Sequence, residues 1–213
     1  MDIEKIRENF PVTEKLIYFN HAAVAPLPLS TSNKVRDFLG DYTSNGCLNY
    51  MDWIKDQERT RSLAAKLVGA NSSEIALVKN TSTGISMVAQ GLKWEDGDNV
   101  IIPEGEFPAN AYPWFNLKDR GVEVRIVKER DRRFFLEDFE ALINERTKLI
   151  SVSWVEFATG FMNDIEALGE LCKEQGIYFC VDAIQGLGIF EIDVNACNID
   201  FLAAYGHKWL RAP

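Results

Sequence analysis

The chain has 213 residues, 46% of them hydrophobic, so it is long enough to bury a sizeable core, in one large domain or in one domain with a small appendage. Its formal net charge of −9 disfavours nucleic acid and anionic membranes as its main partners. The first residues lack the apolar core of a signal peptide, no apolar run approaches the ~20 residues that span a bilayer, and the four cysteines include no CxxC pair. We therefore expect a cytoplasmic protein without a metal site.

The first fifty residues predict an N-terminal segment that precedes a large domain over 51–213. This segment comprises a helix over 3–10 that Pro11 ends, an extended piece over 16–19 and a helix over 30–42. A further helix is predicted over 52–67, because alanine, leucine and valine recur on one face there.

The rest of the chain alternates between apolar runs and amphipathic segments. Strands are predicted over 74–78, 99–102, 122–127, 148–152, 177–181 and 201–204. Helices are predicted between them, over 82–92, 109–120, 136–144 and 164–175. This alternation predicts an α/β domain, with a mostly parallel sheet that helices cover on both faces in three layers.

Four side chains that are suited to contact a ligand follow the ends of predicted strands, namely Thr81, Phe107, Asp182 and Lys208. Ligands of open parallel sheets bind at the carboxyl ends of the strands. We therefore expect these side chains to meet at one ligand site.

Asp182 and Lys208 form the strongest pattern. A lysine amine that forms a Schiff base with an aldehyde, and an acid that keeps a pyridine nitrogen protonated, are what pyridoxal phosphate (PLP) chemistry requires. Gln185 is positioned to reach the ring hydroxyl. Two ordinary interpretations stay open: Asp182 caps the following turn, and Lys208 lies at the surface over an aromatic side chain.

The run Asn80-Thr81-Ser82-Thr83-Gly84 lies before a predicted helix, where backbone N–H groups and hydroxyls suit a phosphate. An ordinary N-cap is the alternative interpretation of this run.

Phe107 offers an aromatic face to a flat ring, and its alternative role is ordinary core packing. Gly186-Leu-Gly188 lacks the third glycine of a dinucleotide fingerprint, which disfavours a nicotinamide-dependent oxidoreductase.

In this order, several segments resemble the class V aminotransferase family of fold-type I PLP enzymes, which includes cysteine desulfurases, selenocysteine lyases, kynureninases and isopenicillin N epimerase-like proteins. The segments are Tyr18-Phe-Asn-His-Ala-Ala23, Thr81-Ser82-Thr83, Gly97-Asp-Asn-Val-Ile-Ile-Pro, Glu106-Phe-Pro-Ala-Asn110, Asp182-Ala-Ile-Gln185 and His207-Lys208-Trp-Leu. The resemblance implies a PLP-dependent transferase or lyase that acts on an amino acid and forms a homodimer.

The resemblance also implies a role for each matching residue. Lys208 would bind PLP and act as the catalytic acid and base, Asp182 would pair with the ring nitrogen, and Gln185 would bind the ring oxygen. The remaining implied contacts are Thr81, Ser82, Thr83 and His207 to the phosphate, Phe107 on the ring, and Asn20, His21 and Ala22 toward the substrate. Desulfurases usually place histidine where this chain has Phe107-Pro108, and Tyr205 and Trp154 also depart from the common pattern.

Members of this family continue beyond the lysine into a C-terminal domain, so we expect the chain to be truncated, with an incomplete large domain. The substrate-binding arginine and the persulfide cysteine of desulfurases cannot be assigned in the sequence. A second hypothesis is therefore a truncated or degenerate domain that is catalytically inactive and serves as a binding or structural module.

Overall fold

A computed structural model describes residues 2–213, and its centre is a five-stranded parallel sheet. The strands are β1 (Asn99–Pro103), β2 (Glu123–Val127), β3 (Thr147–Ser153), β4 (Tyr178–Asp182) and β5 (Phe201–Ala203). Their order across the sheet is β2-β1-β3-β4-β5. The predicted parallel α/β architecture is confirmed, and the sequence expectations for all five of these strands hold to within two residues.

Seven α-helices accompany the sheet. They are α1 (Ile3–Arg7), α2 (Leu29–Asn45), α3 (Tyr50–Val68), α4 (Thr81–Gly91), α5 (Pro108–Phe115), α6 (Leu136–Glu140) and α7 (Ile165–Gln175). Short 3-10 helices lie at Pro11–Glu14, Ser72–Glu74 and Lys118–Arg120.

Two apolar clusters cover the two faces of the sheet because successive strand residues point to opposite sides. Val100 and Ile102 of β1 pack with α4 and α5, whereas Ile101 between them packs in the cluster that contains residues of α6 and α7. The central strands β1, β3 and β4 are therefore buried on both faces, and the three-layer arrangement follows.

The prediction of a strand over 74–78 is wrong. Residues 75–78 pair with no strand in the described part of the chain, and Leu77 and Val78 are exposed. The carbonyl of Ile75 instead accepts a hydrogen bond from the Arg61 guanidinium of α3. A short apolar run is compatible with a strand, but a strand forms only where a neighbouring strand supplies hydrogen bonds.

Three predicted helices are shorter in the structure. The first ends at Arg7, the helix predicted over 109–120 breaks after Phe115 into the 3-10 turn Lys118–Arg120, and the helix predicted over 136–144 ends at Glu140. Asn144 instead accepts hydrogen bonds at Oδ1 from the Arg146 N–H and from Asn99 Nδ2. Such local side-chain bonds compete with helical ones.

The N-terminal segment is more exposed than the sheet. No residue of α2 is buried, and Ile17 and Phe19 are almost fully exposed in the extended piece that the sequence predicts over 16–19. None of the helices within residues 2–213 is long and apolar enough to cross a membrane.

Candidate active site at the carboxyl edge of the sheet

The in-register pairing of three strands places Asp182 at the centre of the carboxyl edge. Asp182 ends β4, and its register partners are Ser153 of β3 and Ala203 of β5. The Ala183 N–H donates to the Ala203 carbonyl at 2.8 Å, which keeps the chain after β5 beside β4. Lys208 follows β5 by five residues and is only 9% exposed. The surface-lysine interpretation is therefore wrong, because this side chain is buried at the edge of the sheet.

The Asp182 carboxyl is buried, and only one of its two oxygens has a hydrogen-bond partner among the described residues. Its Oδ1 accepts the Ile184 N–H at 3.0 Å, so it does cap the following turn, as one interpretation of the sequence expects. Its Oδ2 is buried and has no hydrogen-bond partner among the described residues. Burial raises the pKa of Asp182 to about 6, against the lowering effects of the Ile184 N–H and of Lys208. A free acceptor at this place suits a ligand that carries a proton.

The Lys208 amine is affected in the opposite direction. Burial lowers its pKa, and the nearby Asp182 carboxylate partly offsets that effect. An amine with a lowered pKa is more often neutral, and a neutral amine is a nucleophile.

His207 lies beside this pair and is held by its backbone and by an aromatic neighbour. Its carbonyl accepts the Ala25 N–H at 2.8 Å, and its ring lies against Tyr205 with centroids 4.6 Å apart. The imidazole Nδ1 is buried and unpartnered within residues 2–213. Burial, with a smaller effect of Lys208, lowers the pKa of His207, so the ring is neutral at neutral pH and offers one N–H donor.

Besides the bond from Ala25 to His207, the N-terminal segment reaches the same edge at two further points. The Gln185 amide donates to the Ala22 carbonyl at 3.2 Å, and the His21 ring stacks on Trp209 with centroids 5.2 Å apart and an interplanar angle of 5°. Asn20 is exposed, and its carbonyl accepts the Tyr18 hydroxyl. The structure thus brings His21 and Ala22 beside residues that flank Asp182 and Lys208, and it leaves the Asn20 side chain at the surface.

The hydroxyl run forms the first turn of α4. Asn80 Oδ1 caps the helix by accepting the Thr83 N–H at 2.9 Å and the Thr83 hydroxyl at 3.0 Å. Thr81 is buried with Oγ1 unpartnered among the described residues, whereas Ser82 is exposed. A Cβ added at Gly84 would lie 3.5 Å from the Ala203 Cβ, so this turn lies near the end of β5. The N-cap interpretation is correct for Asn80, and it leaves the Thr81 hydroxyl free.

Phe107 lies outside both apolar clusters, so the interpretation as ordinary core is wrong. It is the N-cap residue of α5, is 43% exposed, and meets Phe157 edge to face at 5.1 Å between centroids. A large aromatic face is therefore available at the same edge of the sheet.

Trp154 is buried and lies over the turn that follows Asp182. A Cβ added at Gly186 would lie 2.4 Å from the Trp154 ring, and the backbone N–H of Trp154 donates to the Asp182 carbonyl at 2.9 Å. The indole thus packs on the backbone beside Gln185 in place of the polar residue that the resemblance leads one to expect.

Sequence reasoning assigned no role to a buried polar network that joins the connection between β1 and α5 to β3. Glu106 is 8% exposed, and its Oε1 accepts the Ser153 N–H at 2.5 Å while its Oε2 lies 2.7 Å from the Ser153 hydroxyl. Asn163 Nδ2 donates to the Ser153 carbonyl at 2.8 Å and to Glu156 Oε1 at 2.7 Å. The available signal was the pair Ser151 and Ser153 within an otherwise buried strand, since buried polar groups require partners.

The cysteines supply no reactive thiol at this edge. Cys172 and Cys180 are buried packing residues, and burial raises the pKa of each thiol to about 12. Cys197 is also buried, and Cys47 is exposed after α2.

Comparison with known proteins gives a consistent result. The profile of the family described as "Aminotransferase class-V" matches residues 17–213. A protein named "Probable cysteine desulfurase" from Methanothermobacter thermautotrophicus is 32% identical over 219 residues, covering 100% of this chain and 54% of that protein. A protein of Schizosaccharomyces pombe named "Uncharacterized aminotransferase" is 30% identical, covering 99% of this chain and 54% of that protein.

The solved structure of an apo cysteine desulfurase from Thermococcus onnurineus is also similar, with a TM-score of 0.89 and 30% identity over 99% of this chain and 54% of that one. A mutant of the protein C-DES, with glycine covalently linked to its PLP cofactor, shares the fold at a TM-score of 0.90 and 21% identity, over 97% of this chain and 57% of that one. The chain spans about half the length of the curated relatives it matches.

Proposed function

We propose that this chain, which belongs to the class V aminotransferase family, carries the cofactor site of a PLP-dependent enzyme that acts on an amino acid. The observation that carries the proposal is the burial of Lys208 beside Asp182, whose Oδ2 is free to accept a hydrogen bond. A buried lysine–carboxylate pair with an open acceptor is what covalent cofactor chemistry requires.

The residues present fit PLP. Thr81 Oγ1, Asp182 Oδ2 and His207 Nδ1 are all buried and lack partners among the described residues. Unpartnered buried polar atoms are costly, so a ligand that satisfies all three would be strongly favoured. A hydroxyl and an imidazole N–H match phosphate oxygens, and a carboxylate matches the proton of a pyridinium nitrogen.

Each residue would have a distinct task. Lys208 Nζ would attach the cofactor and then move the proton at the substrate Cα, for which its lowered pKa is suited. Asp182 Oδ2 would hold the proton on the ring nitrogen. When bound, PLP supplies an electron-withdrawing ring that stabilises negative charge at the substrate Cα.

The surrounding side chains would hold and orient the cofactor. Thr81, Ser82 and Thr83 at the N-terminus of α4 would bind the phosphate together with the neutral His207 ring. The remaining contacts would be Phe107 on one ring face and Gln185 at the ring oxygen. His21 and Ala22 would border the substrate, since they lie against Trp209 and Gln185.

Cysteine is the first substrate to test, because curated relatives of this chain are named cysteine desulfurases. Phe107-Pro108 departs from the histidine that desulfurases usually carry, so transamination and β-elimination remain competing outcomes for the same site. We propose a homodimer as the functional assembly, on the basis of the family resemblance.

The test is an absorbance titration with PLP, followed by borohydride reduction and peptide mass mapping. We expect a visible absorption band and a pyridoxyl adduct on Lys208 that Lys208→Ala abolishes. Lys128→Ala is the matched control, because Lys128 is exposed, pairs with Glu104 and follows β2, the strand at the opposite side of the sheet from β5. A folded wild-type protein with no band and no adduct would favour the inactive binding module instead.

A further inference from the structure

Two buried carboxyl groups lie beside the proposed cofactor site, and none of the tasks above uses them. Glu106 lies in the connection between β1 and α5, and Glu156 lies in a hairpin over residues 154–163 that an antiparallel bridge between Val155 and Met162 closes. Both are buried in spite of their charge. A buried carboxyl must be protonated or well hydrogen-bonded, so its contacts indicate what it does.

The Glu106 carboxyl joins two segments that carry residues of the site. Its Oε1 accepts the Ser153 N–H, and its Oε2 contacts the Ser153 hydroxyl and also accepts the Phe107 N–H at 3.1 Å. Ser153 is the register partner of Asp182 in the sheet. One carboxyl therefore connects the backbone that carries the Phe107 ring to the strand next to Asp182.

The hairpin supports the same connection from the other side. Asn163 links the Ser153 carbonyl to Glu156, and the neighbouring Phe157 packs its ring against Phe107. Phe107 is thus held at its backbone by Glu106 and at its ring by Phe157.

We infer that Glu106 is a positioning residue of the cofactor site, whose carboxyl sets where the Phe107 ring stands relative to Asp182. The inference rests on the proposed function, because Phe107 is the residue proposed to stack on PLP. Glu106 acts through Phe107 and Ser153 and does not itself touch the cofactor.

The groups that face Glu106 make its charge responsive to pH. Asp182 and Cys180 of β4 and Glu156 of the hairpin lie near enough to interact electrostatically with it, and Lys208 is the cation that acts on Asp182. Burial raises the pKa of Glu106 to about 7, and the donors of Ser153 act in the opposite direction. The carboxylate accepts from three donors, whereas a protonated carboxyl must give up one acceptor site. Its hold on the Phe107 N–H therefore strengthens as the pH rises through about 7.

Glu106→Gln removes this effect with little change of shape. The amide can still accept the Ser153 N–H, but its nitrogen cannot accept the Phe107 N–H. The test is the dissociation constant of PLP, determined by absorbance titration at pH 6 and pH 8. We expect Glu106→Gln to raise this constant about three- to tenfold at pH 8 and by less than twofold at pH 6. Glu104→Gln is the control on the same loop and binds PLP as the wild type does.

A second background tests the route through Phe107. In a Phe107→Leu protein, adding Glu106→Gln leaves the PLP dissociation constant at pH 8 unchanged, because the ring that Glu106 positions is gone. Ser153→Ala removes the hydroxyl from the other end of the contact and keeps the fold testable if Glu106→Gln is unstable. It raises the constant about two- to threefold at pH 8, again only when Phe107 is present.

The outcomes separate this inference from the proposed function. Tight PLP binding by both the wild type and Glu106→Gln at pH 8 overturns the inference alone. An undiminished effect of Glu106→Gln in the Phe107→Leu background also overturns it, since Glu106 would then act by another route. A wild-type protein that binds no PLP overturns the proposed function, and the inference with it.

Discussion

Gly186 lies directly against the Trp154 indole, so closely that an added Cβ would be 2.4 Å from Cε3 of the ring. The contact joins the turn after β4 to the hairpin after β3, on either side of Asp182. An alanine there would force the indole or the turn to move.

Gly186→Ala should therefore destabilise the protein by about 1–3 kcal/mol. The free energy of unfolding in urea is the measurement. Gly40→Ala is the matched control, because Gly40 lies within α2 with no atom within 4 Å of an added Cβ. That change should stabilise the protein by about 0.5–1 kcal/mol through helix propensity. Equal stability of Gly186→Ala and wild type would contradict the packing described.

Asp182→Asn should make the cofactor-free protein more stable at high pH. The folded chain binds the Asp182 proton more tightly than the unfolded chain, since burial raises the pKa from 3.8 to about 6. The stability that this group contributes is full below about pH 4 and is lost as the pH rises through about 6. At pH 8 the wild type has lost about 3 kcal/mol of unfolding free energy through this group. The Asp182→Asn protein loses none, because asparagine does not titrate.

Urea unfolding of wild type and Asp182→Asn at pH 4.5 and pH 8, without PLP, measures this difference. The advantage of the variant should be small at pH 4.5 and largest at pH 8. In the presence of PLP the order should reverse, because the variant cannot hold the ring proton. An advantage of the variant that does not change with pH would show that Asp182 is not protonated by burial.

Thr81→Val should have opposite effects on stability and on binding. Valine fills the same space without the buried hydroxyl that lacks a partner, so the cofactor-free protein should be equally stable or about 1 kcal/mol more stable. The PLP dissociation constant should rise about tenfold, as for the loss of a charge-assisted hydrogen bond. Unchanged PLP affinity would remove Thr81 from the proposed phosphate site.

Substitutions at two helix caps test whether α4 binds PLP, because both should destabilise a helix but only one of the two helices begins at the proposed site. Asn80 Oδ1 accepts the Thr83 N–H at the start of α4, and Asp164 Oδ1 accepts the Ala167 N–H at the start of α7. Asn80→Ala and Asp164→Ala should each cost about 1 kcal/mol in the free energy of unfolding. Only Asn80→Ala should also weaken PLP binding, because only α4 begins at the proposed phosphate site. Equal PLP affinity of the two variants would argue against that location.

The thiols should differ sharply in their reaction with an alkylating reagent. Cys47 is exposed, whereas burial raises the pKa of Cys172 and Cys180 to about 12 and also raises that of Cys197. We expect one thiol to react quickly in the native protein and all four to react in denaturant. Mass mapping should place the fast label on Cys47, and a fast label on Cys180 would show that β4 is not buried as described.

The sequence was sufficient to predict β1, β3 and β4, because their apolar residues are buried on both faces of the sheet. The same reasoning failed for residues 74–78, where the apolar pattern is present but no neighbouring strand is. Strand formation depends on a partner as well as on a pattern, and the partner is not visible in a local window of sequence.

The candidate site likewise contains residues that the sequence could identify and contacts that it could not. Asp182 and Lys208 could be identified because each follows an apolar strand and carries a distinctive chemistry. The contact between Glu106 and Ser153 could not, because it joins the connection after β1 to the end of β3, 47 residues further along the chain, and only the folded sheet brings them together. The stacking of His21 on Trp209 similarly joins residues from opposite ends of the chain.

The pairing of β5 with β4 imposes an order of events on cofactor loading. β5 is three residues long and lies at the edge of the sheet, and the chain that follows it carries His207 and Lys208. Until β5 has docked, Asp182 and Thr81 have no lysine beside them. If PLP attaches to Lys208 as proposed, loading requires that β5 has already paired with β4, and a cofactor that binds only the assembled sheet stabilises that pairing.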